Sequence, residues 1–148
     1  DTIHCESVKS KIAIGEGRHD DAIYLLKKMV DTINFKLVTK YYKDAEECCM
    51  LEQNLAVTFD DIAIAYRSKG NLQYAMIYVK RAVDVAESES LEHERAIFLD
   101  YWADMLIEDG LFDSAIEKAT AAQEIFKKRN EKSRLIHACD LLGVAYFR

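Results

Sequence analysis

Three aspartates, Asp60, Asp100 and Asp140, recur forty residues apart, and the residues around them recur with them. Carboxylates repeated in this way would attract a lysine or arginine side chain, or peptide backbone donors, through charge-assisted hydrogen bonds. An acidic protein also carries ordinary solvated aspartates, and that alternative stays open. Other chemistry has less to stand on. His4, His19, His93 and His137 share no ligand spacing with one another or with Cys5, Cys48, Cys49 and Cys139, so no metal site is expected. No nucleophile constellation and no glycine-rich phosphate loop occurs, so neither a cofactor nor an enzymatic activity is expected.

The elements that must position the aspartates are announced by the repeat itself. Phe59, Ile62, Ala63, Tyr66, Gly70, Leu72, Ala75 and Ala82 stand at the same offsets as Leu99, Trp102, Ala103, Leu106, Gly110, Phe112, Ala115 and Ala122. Each copy is an apolar stripe at helical spacing, a glycine stop and a second stripe, which predicts two antiparallel helices. A third, partial copy follows in Cys139, Leu142, Gly143 and Tyr146. Earlier in the chain, Gly17 and Ala22 mirror the links after Gly70 and Gly110, and residues 2–17 suit a short amphipathic helix ending at Gly15 or Gly17. Proline is absent, which favours uninterrupted helices.

The first interval between glycine stops is longer than the second, so residues 30–55 hold an insertion. Asp44-Ala45-Glu46-Glu47 has capping-box spacing and predicts a break there, the alternative being one kinked helix. Asn71, Ser90 and Asn130 are expected to accept hydrogen bonds from backbone donors at helix starts. Asp20 and Asp113 fall in first turns, where the helix dipole favours a negative charge. Small residues at 63, 75, 82, 103, 115, 122 and 143 would let helix axes approach, with Phe59, Tyr66, Trp102, Phe112 and Tyr146 filling the gaps.

Composition limits the partners. The 148 residues carry a formal net charge of -6, half are apolar, and basic residues are scattered. A general nucleic-acid surface, which needs clustered lysine and arginine, is not expected. The longest apolar runs are a few residues, too short to span a membrane. The cysteines lack paired CxxC spacing, and buried free thiols in a reducing, cytoplasmic setting are expected.

At these residues the sequence resembles the tetratricopeptide repeat (TPR), a longer-helix variant with a forty-residue period where the common form has thirty-four. The first-helix pattern of the family is carried by Phe59, Ile62, Ala63 and Tyr66 and by Leu99, Trp102, Ala103 and Leu106, and the small second-helix residues by Ala75, Ala82, Ala115 and Ala122. The proline that ends the family's second helix is replaced by polar links. The resemblance implies an all-α, right-handed superhelical stack of about seven helices. It forms a single domain with units of about 1–43, 44–89 and 90–129 and a partial unit 130–148.

In such stacks the first helices line a concave wall. Asp60, Ile64 and Arg67, with Val57, would face it from one unit, and Ile97, Asp100, Asp104, Ile107 and Glu108 from the next. His137, Asp140, Val144, Phe147 and Arg148 would face it from the last helix. The function implied is non-enzymatic: a groove that binds a protein or peptide, in particular one with basic residues. The alternative is a regulatory sensor domain of a larger signalling or transcription-regulating protein that responds to a peptide or partner domain. The final helix lacks its pair, which suggests a fragment of a longer array. A helix that caps the stack, or that docks on another copy to form a homo-oligomer, is the other reading.

Overall fold

The computed structural model of the protein describes residues 2–147. Seven helices follow in order: α1 (Thr2–Gly15), α2 (His19–Val38), α3 (Ala45–Lys69), α4 (Leu72–Ser88), α5 (Glu92–Glu108), α6 (Phe112–Lys128) and α7 (Lys132–Tyr146). The described residues contain no strand. The chain divides into two compact units, Asp1–Val85 and Ala86–Arg148.

One backbone device ends every helix except α7. Gly17, Lys40, Gly70, Ser90, Gly110 and Asn130 all have positive φ, between 55° and 92°. After each, the next amide reaches back to a carbonyl five residues earlier: Arg18 to Ala13, Tyr41 to Lys36, Asn71 to Tyr66, Leu91 to Ala86, Leu111 to Leu106 and Glu131 to Phe126, at 2.8 to 3.0 Å. This is the Schellman closure, in which a left-handed residue turns the chain and satisfies orphan carbonyls of the last turn. At 70, 90, 110 and 130 the closures are evenly spaced, and a single residue separates each from the next helix.

That economy corrects one expectation. Ser90 and Asn130 do not cap the helices that follow them; they are the left-handed stops of α4 and α6, equivalent to the glycines. The N-cap positions of α5 and α7 fall to Leu91 and Glu131, neither with a side-chain cap bond. Asn71 alone among the three behaves as expected, its Oδ1 accepting from Tyr74 N at 3.2 Å. Residues 39–44 form the break between α2 and α3. Asp44 caps α3 by accepting from Glu47 N at 2.9 Å, and Lys43 N, one residue before the cap, donates to the Glu47 carboxylate at 2.6 Å, so the helix does not run through.

In the first unit, Ile3, Leu26, Met29, Ile33, Leu51, Leu55 and Ile62 join α1, α2 and α3, with Phe59, Tyr66 and Tyr78 packed against them. In the second unit, Ala103 of α5, Ala119 of α6 and Leu141 of α7 meet in one cluster, with Ile107 and Leu142 against it. Ala63, Ala75, Ala82, Ala103, Ala115 and Ala122 are all fully buried, as close helix approach requires. Gly143 is not such a position, since a Cβ added there would meet nothing within 4 Å. Tyr146 fills no gap either; it is 68% exposed on the outer side of α7. The cysteines are free, but Cys5, Cys49 and Cys139 are exposed and Cys48 is only half-buried, because the core stripe of each helix is occupied by other residues.

Two substitutions test these contacts. Ala115→Leu is expected to overpack the fully buried site and destabilise the chain by roughly 1–3 kcal/mol, read as a lowered Tm; an unchanged melt would remove Ala115 from the contact. Ser90→Gly is expected to stabilise by about 0.5–1 kcal/mol in urea denaturation, because glycine escapes the left-handed penalty that serine bears. A loss of stability would contradict the turn geometry.

Candidate functional site

In the second unit α5 and α7 lie side by side over α6 and leave a groove of about 480 Å³. Ile97, Asp100, Tyr101 and Asp104 form one wall, and Ser133, Arg134 and His137 form the other. Helical spacing explains the walls: 97, 100, 101 and 104 share one face of α5, and 133, 134 and 137 one face of α7. Four of the sequence-expected groove residues, Ile97, Asp100, Asp104 and His137, are therefore brought together.

Asp100 is the unusual member. It is only 8% exposed, and its Oδ2 meets His137 Nδ1 across the groove. Its Oδ1 is buried with no hydrogen-bond partner. Burial raises its carboxyl pKa most, Asp104 adds to the rise, and the His137 hydrogen bond and the His137 and Arg134 charges oppose it. A second histidine contact runs the other way. His93 Nδ1 on α5 lies 2.7 Å from Glu131 Oε1 just before α7, and Arg129 Nε reaches the same oxygen at 3.0 Å. The Arg129 bond does most to lower the pKa of Glu131, with His93 adding to it. Reciprocal histidine–carboxylate pairs thus tie α5 to α7. Sequence reading sought metal spacing among the histidines and missed these pairs; each spans close to one repeat, and that spacing was the available signal.

Ser133 stands one turn before His137 on the same wall. The groove lining combines the apolar Ile97, the aromatic Tyr101 and two carboxylates one helical turn apart.

The other expected site residues are placed differently. Ile107 packs against the α5–α6–α7 cluster. Asp140 and Val144 are exposed on α7 and do not line the groove, and neither do Glu108 and the exposed Phe147. Arg148 lies outside the described residues. Asp60, Ile64 and Arg67 sit on α3 in the first unit, each half-buried. The three aspartates of the repeat therefore share a position but not an environment. Asp100 is buried and paired with His137, Asp140 is exposed on the last described helix, and Asp60 has a buried Oδ1 with no hydrogen-bond partner.

The first unit has its own recesses. Ile3, His4, Ser7 and Lys11 of α1 face Met50, Asn54, Val57, Thr58 and Asp61 of α3 across about 310 Å³, with Met29 at the base. Burial raises the Asp61 pKa, and the Lys11 charge opposes the rise. On α2, Lys27 Nζ donates to Tyr66 Oη at 2.9 Å and lies 5.4 and 5.7 Å from the Tyr66 and Tyr78 ring centres. Tyr66 stacks on Tyr74 and Tyr78 at 5.3 and 5.5 Å. This ammonium over a tyrosine stack was not legible from the sequence, where Lys27 looked like one of several scattered cations.

Helix pairs of this length, joined by one-residue Schellman turns and packed through buried alanines, define an all-α TPR-like helical-repeat domain. Solved structures agree. The chain superposes on BtubC (BKLC) from P. vanneervenii with a TM-score of 0.78 at 19% identity, covering 96% of this chain and 53% of that one. It superposes on a putative kinesin light chain from Podosopora anserina, described as having nearly identical TPR-like repeats, with a TM-score of 0.70 at 18% identity, covering 97% of this chain and 65% of that one. A single-substitution form of the latter gives 0.72. This chain thus spans between half and two thirds of those proteins. No family model matches the sequence, and no curated protein sequence does. Among the described residues, no helix is long and apolar enough to cross a membrane and no cluster of side chains could hold a metal ion.

Asp60 yields a pH prediction. Burial above all, and the neighbouring Asp61 charge, push its pKa up to about 7 from 3.8. The folded chain thus holds a proton that the unfolded chain has already released, so this contribution is greatest below pH 4 and is lost as pH rises towards 7. Asp60→Asn is expected to stabilise the chain by roughly 1–3 kcal/mol at about pH 8 and little at about pH 4, measured by urea denaturation. Parallel pH profiles for the variant and the wild type would show that Asp60 is hydrated.

Proposed function

We propose that the chain is a protein-interaction module whose α5–α7 groove binds an extended or helical peptide segment of a partner protein. The observation that carries this reading is the buried Asp100, with Asp104 beside it, on the wall of a groove whose backbone is fixed by α6 beneath. Carboxylates on a groove wall suit a partner that brings hydrogen-bond donors. Ile97 and Tyr101 supply apolar contact, and the aspartates orient the segment. The first helices of a TPR-like stack commonly serve this purpose, which supports an adaptor or scaffold role.

Panning a random peptide display library on the chain tests the reading. Selected peptides are expected to bind at about micromolar Kd, and the double variant Ile97→Glu, Asp104→Arg to weaken them at least about tenfold without shifting the Tm. Tyr24→Ala, at an exposed site in the first unit, is expected to leave binding intact. Peptides indifferent to the groove variant would overturn the proposal.

A further inference from the structure

We infer that the first unit binds a free α-amino acid with an apolar side chain in the recess between α2, α3 and α4, its carboxylate on Lys27 and Arg81, its ammonium on Asp31, and its side chain on Val30, Phe59 and Ile62.

The recess is small. At about 250 Å³ it falls below the roughly 300–1,000 Å³ of a drug-sized ligand site. Helical spacing builds it: Lys27, Val30 and Asp31 share one face of α2, Phe59 and Ile62 one face of α3, and Tyr78 and Arg81 one face of α4. Ile62 is buried and Val30 and Phe59 are half-buried, which makes the floor apolar, while the exposed Lys27, Asp31 and Arg81 charge its rim.

The cations are held in place without being neutralised. Lys27 Nζ spends one of its three donors on Tyr66 Oη at 2.9 Å and lies 5.7 Å from the Tyr78 ring centre. The Arg81 guanidinium lies 4.9 Å from the centre of the same ring, a stacking that fixes its plane and leaves its N–H edge for a carboxylate. Among the described residues, Arg81 and Asp31 have no hydrogen-bond or ion-pair partner. Asp31 follows Lys27 by one turn, the poorer order for an ion pair along a helix, and the Lys27 ammonium turns to Tyr66 instead. Three charged groups thus border one recess, and none cancels another.

This set matches a zwitterion. A phosphate or a simple carboxylate would satisfy the cations but meet Asp31 as a like charge, and a simple amine would meet the reverse. An α-amino acid carries both charges on one Cα, and Lys27 and Asp31, with Cβ atoms about 5–6 Å apart, can each take one. The apolar floor then selects the side chain.

The experiment is an NMR titration of the chain with L-leucine, L-aspartate, isocaproate, which lacks the ammonium, isoamylamine, which lacks the carboxylate, and inorganic phosphate. Leucine is expected to shift the Val30, Phe59 and Tyr78 resonances saturably, at a Kd of about millimolar order or tighter. The other four compounds are each expected to bind at least about tenfold more weakly. Arg81→Gln should weaken leucine at least about fivefold, and Asp31→Asn should weaken leucine while sparing isocaproate; both side chains are exposed, and thermal melts check their folding. Isocaproate, isoamylamine, aspartate or phosphate binding as tightly as leucine would overturn the inference. So would leucine binding that survives both variants, or the absence of any saturable leucine shift. None of these residues lines the α5–α7 groove, so either result leaves the peptide-binding reading as it stands.

Discussion

Helix axes can approach closely only where side chains are small, and this constraint underlies the rest of the structure. Ala103, Ala119 and Leu141 show it in its simplest form: α5 and α7 both lean on α6 through one cluster, and the distance between them follows. Alanine serves twice here, since it adds little bulk at the contact and loses no side-chain entropy in a helix. The Schellman closures complement it by reversing the chain within two residues, so that in the second unit α6 returns along α5 and α7 along α6. A groove built this way owes its shape to the core below it. Its wall residues are not needed to hold that core together.

Burial falls unevenly on the carboxylates. Asp60 and Asp100 occupy one position in successive repeats, and both lose water, but the chain deals with them differently. Asp100 gains the imidazole of His137 from the adjacent helix. Asp60 has Asp61 beside it, and its proton is retained to about pH 7. Asp140 is exposed to water. A repeated residue is thus not a repeated site, because its properties depend on what the neighbouring helix places opposite.

Much of the fold was legible because it is written in local pattern. Glycine stops at 17, 70 and 110, the alanine positions and the cap at Asp44 each follow from a short stretch of sequence, and the backbone obeys them. Ser90 and Asn130 were misread because residue type signals a cap more strongly than it signals a left-handed stop. Only the even spacing from 70 to 130 shows them to be glycine equivalents. Cys5, Cys49 and Cys139 were misjudged because cysteine is usually buried, whereas here the inward stripe was already filled. The site was legible as a set of positions on first helices. Its chemistry was not, since the His137–Asp100 and His93–Glu131 pairs join residues on different helices and exist only once α5 and α7 are side by side.

The central claim, that the groove exists before any ligand arrives, is tested most directly by native-state hydrogen exchange on the free chain. The amides of Ala138, Leu141 and Ala145 on α7 should exchange as slowly as those of Ala103 and Ala119, through unfolding of the whole second unit. If α7 exchanges by local opening while α5 and α6 stay protected, the second wall is not preformed and the account fails.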